Sequence, residues 1–348
     1  MKVAILSFFD FEEVPGGSEL SVSYLKKAFP DSDVITYSST RKAANGPSAD
    51  RLNLREIRMG VAIGNKFHRM NRKARYDLIV ANSRAGWYVA ATPPGIPVIN
   101  VYHYTLRGLA NGVLRGTPGF LPSKHFMSQF ERISSIGSAN VAVSIKTQKE
   151  LKKYYNLDSA VIENGVPMNT FSPIPKEKAR EKLGIEWKGP MGIFVGRAEY
   201  AKGFDVIEGI AKERRDLRIL CVTSTDIGGE GMIVRRNVPN AEMRDYYSAS
   251  DFFIFPSRYE SASYSALEAM ACDLPVVASR TGIFEDMGEG NVGRIMDTFR
   301  VEDYSKAIDE VLAGGPYETR ELVRERFSLE RFIADYRRFA QALVDRER

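Results

Sequence analysis

Cysteine is scarce, with Cys221 and Cys272 the two in 348 residues. Each sits in an apolar setting, which excludes the disulfide framework of a small secreted domain. Histidine is nearly as rare. His68, His103 and His125 lie far apart and lack metal-ligand spacing with either cysteine, so neither a structural zinc site nor another bound metal is expected. No apolar run approaches the ~18 residues that span a bilayer. The opening MKVAILSFFDFEE meets Asp10 after a short apolar run without a small-residue cleavage site, and is expected to be a first β-strand and not a signal peptide. The G-x-x-x-x-G-K-[ST] phosphate loop is absent, as is any repeat of roughly 20 to 50 residues. A reduced, cytoplasmic protein is the expectation.

What is present describes a globular chain. Hydrophobic residues make up 44% and charged ones 27%, and the length favours two domains. Apolar β-rich runs (KVAILSFF, DVITY, DLIV, PVINVY, NVAVS) alternate with helical patterns, the signature of a parallel sheet covered by helices. The stretch ENGVPMNTFSPIP at 163 to 175 interrupts this, after which MGIFVGR, LRILCVTS, DFFIFPS, PVVAS and VGRIM restart it. The predicted division is a first α/β domain over 1–165, a second over 166–327 and a terminal helix over 328–348. That helix has Ser328 as its cap and an apolar stripe of Phe332, Ile333, Tyr336, Phe339, Ala340 and Leu343 able to pack back onto the first domain. Two open sheets of this kind bind ligands outside the carboxyl ends of their strands.

The net charge of +5 is unevenly spread. Residues 41 to 75 carry ten Lys or Arg against two acids, Asp50 and Glu56. Within 54–73, Met59, Ile63, Phe67 and Met70 make one helical stripe, while Arg55, Arg58, Lys66, Arg69 and Arg72 gather on another side. Such a helix can rest on an anionic membrane. A core-facing stripe with a solvated basic face explains the pattern equally simply, with Gly60 and Gly64 weakening the helix, and an acidic acceptor is a third reading. Nucleic acid is disfavoured, because no stacking aromatics interleave the charges.

In FPSRYESASYSALEAMACDLPVVAS, seven residues separate Glu260 from Glu268. A strand ends before them and a helix is expected to begin near Ser263, so the amides around Ser263, Tyr264 and Ser265 would face a ligand, where a helix N-terminus suits phosphate. An arbitrary pair of glutamates is more often a dipole-complementing acid and a solvated one. Glu268 is out of place in so apolar a helix. At FVGRAEYAKGFDVIEGI another strand leads to Arg197 and Lys202, two cations able to neutralise a departing diphosphate, or ordinary turn charges. Gly16 and Gly17 in PGGSEL permit close backbone approach to a phosphate, although a Gly-Gly pair is more often a turn. His103 in NVYHYT should sit at a sheet edge, where an imidazole can donate to a sugar hydroxyl or a carbonyl. The Asp31-Ser32-Asp33 run reads as turn chemistry and not as a metal motif.

The runs PGGSE, VSIKTQKELKKYYNLDSAVIENGV, VGRAEYAKGFDVI and PSRYESASYSALEAMACDLPVVAS, in this order, resemble glycosyltransferase family 4. The resemblance implies the GT-B fold, two Rossmann-like α/β domains facing a cleft. It also implies an E-x7-E motif in which Glu268 holds the ribose of a nucleotide-sugar donor and Glu260 reaches the sugar. Arg197 and Lys202 match the diphosphate-binding pair, Gly17 the loop from the other domain, His103 the histidine near the transferred sugar, and Asn164 and Gly165 the linker. Transfer with retention to a glycan or lipid-linked acceptor, without metal or other cofactor, is the implied activity. Where the family commonly has glycine one and three residues after the first glutamate, this chain has Ser261 and Ser263, which enter positive φ less readily. A nucleotide-sugar epimerase of similar fold and a non-catalytic nucleotide-sugar-binding subunit are the competing readings. Product formed from donor alone, or donor binding without turnover, would mark them.

Overall fold

The computed structural model of the chain describes residues 1–12, 14, 16–38, 54–288 and 290–347. Pro15 of the glycine loop, and Arg41, Lys42, Asp50 and Arg51 of the basic segment, lie outside the described residues. The chain divides into two compact units, Met1–Asn164 together with Glu330–Arg348, and Gly165–Leu329.

Among the described residues of the first unit, six strands form one parallel sheet: β1 (Val3–Leu6), β2 (Asp33–Ile35), β3 (Leu78–Asn82), β4 (Val98–Tyr102), β5 (Ala139–Ala142) and β6 (Ala160–Val161), in the order β2-β1-β3-β4-β5-β6. Their near-continuous apolar runs suit a sheet buried on both faces, and Val3 to Leu6 are fully buried. The second unit repeats the plan with β7 (Met191–Val195), β8 (Arg218–Thr223), β9 (Met232–Arg236), β10 (Phe252–Phe255), β11 (Val276–Ser279) and β12 (Gly293–Met296), ordered β12-β11-β10-β7-β8-β9 and also parallel. Phe194, Ile207, Ile219, Phe252, Ile254 and Ile308 fill its core. The strand order reverses between β1 and β3 in one sheet and between β7 and β10 in the other. At such a point consecutive crossovers leave in opposite directions and open a crevice above the strand ends.

Two elements differ from the sequence expectation. The helix Leu54–Ala74 runs unbroken through Gly60 and Gly64. A Cβ would stand 2.1 Å from the Trp87 indole at Gly60 and 2.5 Å from the Tyr88 ring at Gly64, so these glycines admit neighbouring aromatics and do not mark a weak helix. Met59, Ile63 and Phe67 are buried in the core of the first unit, and Met70 packs against it. The buried stripe of Met59, Ile63 and Phe67 therefore cannot enter a lipid surface; the helix exposes Arg58, Asn65, Arg69, Arg72 and Lys73, with Leu54 at its start. The terminal helix, Leu329–Glu347, returns to the first unit. Its buried residues are Leu329, Phe332, Tyr336, Ala340 and Val344, while Ile333, Phe339 and Leu343 of the expected stripe are half-buried. Arg337 donates to the carbonyls of Ala28 (2.7 Å) and Lys27 (3.3 Å), closing the end of the helix Gly17–Ala28.

Candidate functional site

In the second unit the loops leaving β7 and β10, the two strands at the reversal, meet each other. Lys202 and Glu260 form an ion pair there, their side chains 27% and 21% exposed. Two oppositely charged groups at this depth satisfy one another. Arg197 is more open and pairs with Glu199 at 2.8 Å. The two loops are stapled by Arg258. Its backbone N–H donates to the Ala201 carbonyl at 2.9 Å, and its guanidinium to the Tyr200 carbonyl at 2.7 Å and to both oxygens of Asp205 at 2.7 and 2.8 Å. Between them Gly203 has φ +69°, and a Cβ there would stand 1.9 Å from the Pro256 carbonyl oxygen. Glycine is required for this approach.

Beyond Glu260 the chain enters the helix Tyr264–Ala271, with Ser263 as its N-cap. The Ser263 hydroxyl accepts from the Ala266 amide at 3.5 Å and lies 2.9 Å from the Ser265 hydroxyl. Neither Ser261 nor Ser263 has positive φ, and Ser263 is extended at φ −75°, ψ 119°. The serines standing where the family commonly has glycine thus impose no backbone strain. Ser265 is half-buried and Tyr264 buried.

Glu268 lies in the second turn of that helix and is 3% exposed. Asn240 Nδ2 donates to its Oε1 at 2.9 Å and the Tyr247 hydroxyl to its Oε2 at 2.8 Å. Both donors are neutral, and burial pushes the carboxyl up to about 7 against their pull. Sequence reasoning missed Asn240 and Tyr247. They precede Glu268 by 28 and 21 residues and no local pattern marks them.

In the first unit a pocket opens at the carboxyl ends of β1, β3 and β4, lined among others by Ser7, Ser18, Glu19, Asn82 and His103. The helix Gly17–Ala28 begins here with Gly16 as N-cap, at φ −160°, an extended backbone open to any residue. What Gly16 provides is room: a Cβ would lie 2.4 Å from Glu19 Oε2. The Glu19 carboxylate, which accepts from the Ser18 hydroxyl at 2.7 Å, therefore folds over the helix start, and burial raises its pKa. His103 follows β4 directly. Its Nε2 meets Asn82 Oδ1, whose amide Nδ2 donates to Ser7 Oγ (3.3 Å) and the Ser18 carbonyl (3.4 Å). The amide orientation makes Oδ1 the acceptor, so His103 Nε2 carries the proton and Nδ1 is the acceptor. Burial pushes this imidazole down to about 4, so it is neutral at pH 7. The sequence expectation had the ring donating to a ligand; its donor is instead taken by Asn82.

A buried network, which the sequence reading did not identify, holds the loop beyond His103. Arg84 donates to Glu56 (2.9 Å), Glu131 (3.2 Å) and the Tyr104 hydroxyl (3.2 Å). Glu131, fully buried, also accepts from the Leu106 amide and from Tyr155. Burial raises the Glu131 carboxyl, opposed chiefly by Arg84. The Asp33 carboxylate accepts from Tyr76 at 2.7 Å, and no group of three or more metal-ligating side chains occurs among the described residues.

Two parallel six-stranded units, each with polar and charged side chains at its strand-order reversal, make up the plan of the GT-B fold. Residues 15–170 match Glycosyltransferase Family 4 and residues 189–314 match Glycosyl transferases group 1, so the chain is built of two glycosyltransferase domains. It is 33% identical over 169 residues to TuaC of Bacillus subtilis, whose name assigns it to teichuronic acid biosynthesis, covering 46% of this chain and 43% of that protein. It is 27% identical over 276 residues to D-inositol 3-phosphate glycosyltransferase 2 of Catenulispora acidiphila, covering 70% and 64%. The chain thus spans about half to two thirds of the length of these relatives. Among solved structures, sucrose-phosphate synthase of Thermosynechococcus elongatus superposes with a TM-score of 0.85 at 18% identity, over 99% of this chain and all of that one. The Anabaena protein HepE in complex with UDP-glucose gives 0.75, also at 18% identity, over 99% and 100%.

Proposed function

We propose that this chain is a retaining glycosyltransferase that moves a sugar from a nucleotide-diphosphate donor to a glycan, lipid-linked or other surface-polymer hydroxyl, without a metal ion. The observation that carries the reading is the Lys202–Glu260 pair at the β7/β10 reversal, with buried Glu268 in the second turn of the helix that follows. In this reading Lys202 exchanges Glu260 for the donor diphosphate, released Glu260 turns to the sugar hydroxyls, and Glu268 accepts the ribose hydroxyls. Arg197 and the amides around Ser263, Tyr264 and Ser265 add to the positive potential at the leaving group. In the first unit the expected phosphate contacts Gly16 and Gly17 lie where the Glu19 carboxylate folds over the helix start, so a phosphate would meet them once Glu19 moves, and neutral His103 keeps Nδ1 as an acceptor for a sugar hydroxyl.

The acceptor oxygen attacks the anomeric carbon on the face from which the diphosphate departs. The new C–O bond forms as the bond to phosphate breaks, and the acceptor proton passes to the departing phosphate oxygen. No protein carboxylate then needs to bond to the sugar. The name of TuaC supports a surface polymer as acceptor. The exposed cations of 54–73 would meet an anionic acceptor or membrane through charge alone, since the apolar stripe faces inward. No helix among the described residues is long and apolar enough to cross a membrane. The two free, buried cysteines fit a reducing, cytoplasmic setting.

The test is thermal stabilisation of the purified protein by UDP, GDP and ADP and their sugar conjugates, with EDTA throughout. UDP comes first, because HepE was solved with UDP-glucose. A ligand at ~100 times its Kd adds about 2.7 kcal/mol, so stabilisation by one nucleotide family is expected. No shift with any of them would overturn the donor site. Sugar turnover without acceptor would instead point to the epimerase.

A further inference from the structure

We propose that Asn240 and Tyr247 preset the Glu268 carboxylate to read a vicinal diol, so that these two positioning residues determine the preference of this site for ribonucleotides over deoxyribonucleotides. The inference rests on the reading of Glu268 as the ribose acceptor and names what makes it selective.

A carboxylate offers about four lone-pair positions, two on each oxygen. Asn240 Nδ2 takes one on Oε1 and the Tyr247 hydroxyl takes one on Oε2. One donor per oxygen leaves one acceptor position per oxygen. Two adjacent hydroxyls are the neutral donors that match such a pair. Each reacting partner is fixed. Tyr247 is fully buried, and its ring meets Phe171 and Phe253 edge-on at centroid distances of 6.2 and 6.4 Å. Asn240 opens the short 3-10 turn Asn240–Glu242 that follows β9, behind Pro239, so its amide reaches Glu268 from a constrained backbone.

The absence of a cation is informative. Elsewhere in this unit Asp251 has Arg180 and Asp245 has Lys182 as partners. Among the described residues Glu268 has only the two neutral donors. A cation would compete for the same lone pairs and lock the carboxylate; two neutral donors orient it and leave acceptor capacity for a ligand. A buried carboxylate without a counter-charge is unfavourable, which a purely structural role would not require.

The test compares UDP, GDP and ADP with their 2′-deoxy counterparts on the wild-type chain, Asn240→Ala and Tyr247→Phe. For the nucleotide that binds, wild type should lose about tenfold or more in affinity without the 2′-hydroxyl, the worth of one hydrogen bond to a charged group. In either variant that ratio should shrink by about threefold or more, the deoxynucleotide, which keeps only the 3′-hydroxyl contact, losing less affinity than the ribonucleotide. Tyr247→Phe retains the ring and so keeps the packing if Asn240→Ala perturbs its turn. Ribo- and deoxyribonucleotides weakened in equal proportion would mean a structural role only and overturn the inference. A wild type that binds nucleotides without regard to the 2′-hydroxyl would overturn it as well. Failure of all three nucleotides to bind would overturn the donor-site reading itself.

Discussion

Glu268 is a carboxyl whose ionisation the fold opposes. With a folded pKa near 7 against an ordinary 4.5, the folded state holds the proton more tightly than the unfolded one. Its burial is therefore free of electrostatic penalty below about pH 4.5, and the penalty grows between the two values and is complete above 7, reaching at most ~3 kcal/mol. Glu268→Gln removes the titration while keeping an amide that can serve both neighbours. The variant should gain on wild type in melting temperature as the pH rises from about 5 to about 8. Equal offsets at both pH values would mean that the carboxyl is not raised. Lys202 and Glu260 show the opposite logic, an ion pair already matched in the empty protein. The acids and cations themselves were legible as residues after apolar strand runs. Their partners were not. Asn240, Tyr247, Asn82, Arg84 and Glu131 meet their contacts across gaps of 20 residues or more, and nothing local in the sequence encodes a lone-pair count or a tautomer.

At the scale of elements, the spacing of the two loops above β7 and β10 depends on Gly203 and Arg258. A side chain at Gly203 would strike the backbone oxygen of Pro256 at 1.9 Å in a left-handed conformation. Gly203→Ala should therefore cost ~2 kcal/mol or more in denaturant unfolding, since an L-residue in that region costs ~1–3 kcal/mol before any clash. A cost below about 0.5 kcal/mol would show the two loops to be slack. The strands themselves could be read from their apolar runs, because a parallel sheet buried on both faces leaves little choice of residue. The helix Leu54–Ala74 was only half legible. Its period gave the helix and its stripe, but which surface the stripe covers is settled by Trp87 and Tyr88, whose rings fill the gaps left by Gly60 and Gly64. A glycine that weakens a helix and one that admits a neighbour look alike in sequence.

For the whole molecule, residues 330–348 belong to the first unit although the second unit precedes them in the chain. They bury Phe332, Tyr336, Ala340 and Val344. At roughly 1.5–3 kcal/mol for each large apolar side chain buried, deletion of 330–348 should destabilise the first unit by more than ~5 kcal/mol. Limited proteolysis is expected to cleave that unit early in the truncated protein and leave the second unit resistant. Equal resistance of both units would show the helix to be dispensable.

The second unit is consequently one unbroken stretch whose two ends lie together: Val166 bridges Ser328, its N–H donates to the Phe327 carbonyl, and its own carbonyl accepts from Leu329. During synthesis on a ribosome this arrangement reverses the order of completion. The part made second has every residue it needs once Leu329 has emerged, while the part begun first must wait, with the surface later covered by Phe332 and Tyr336 still open to water or to a chaperone.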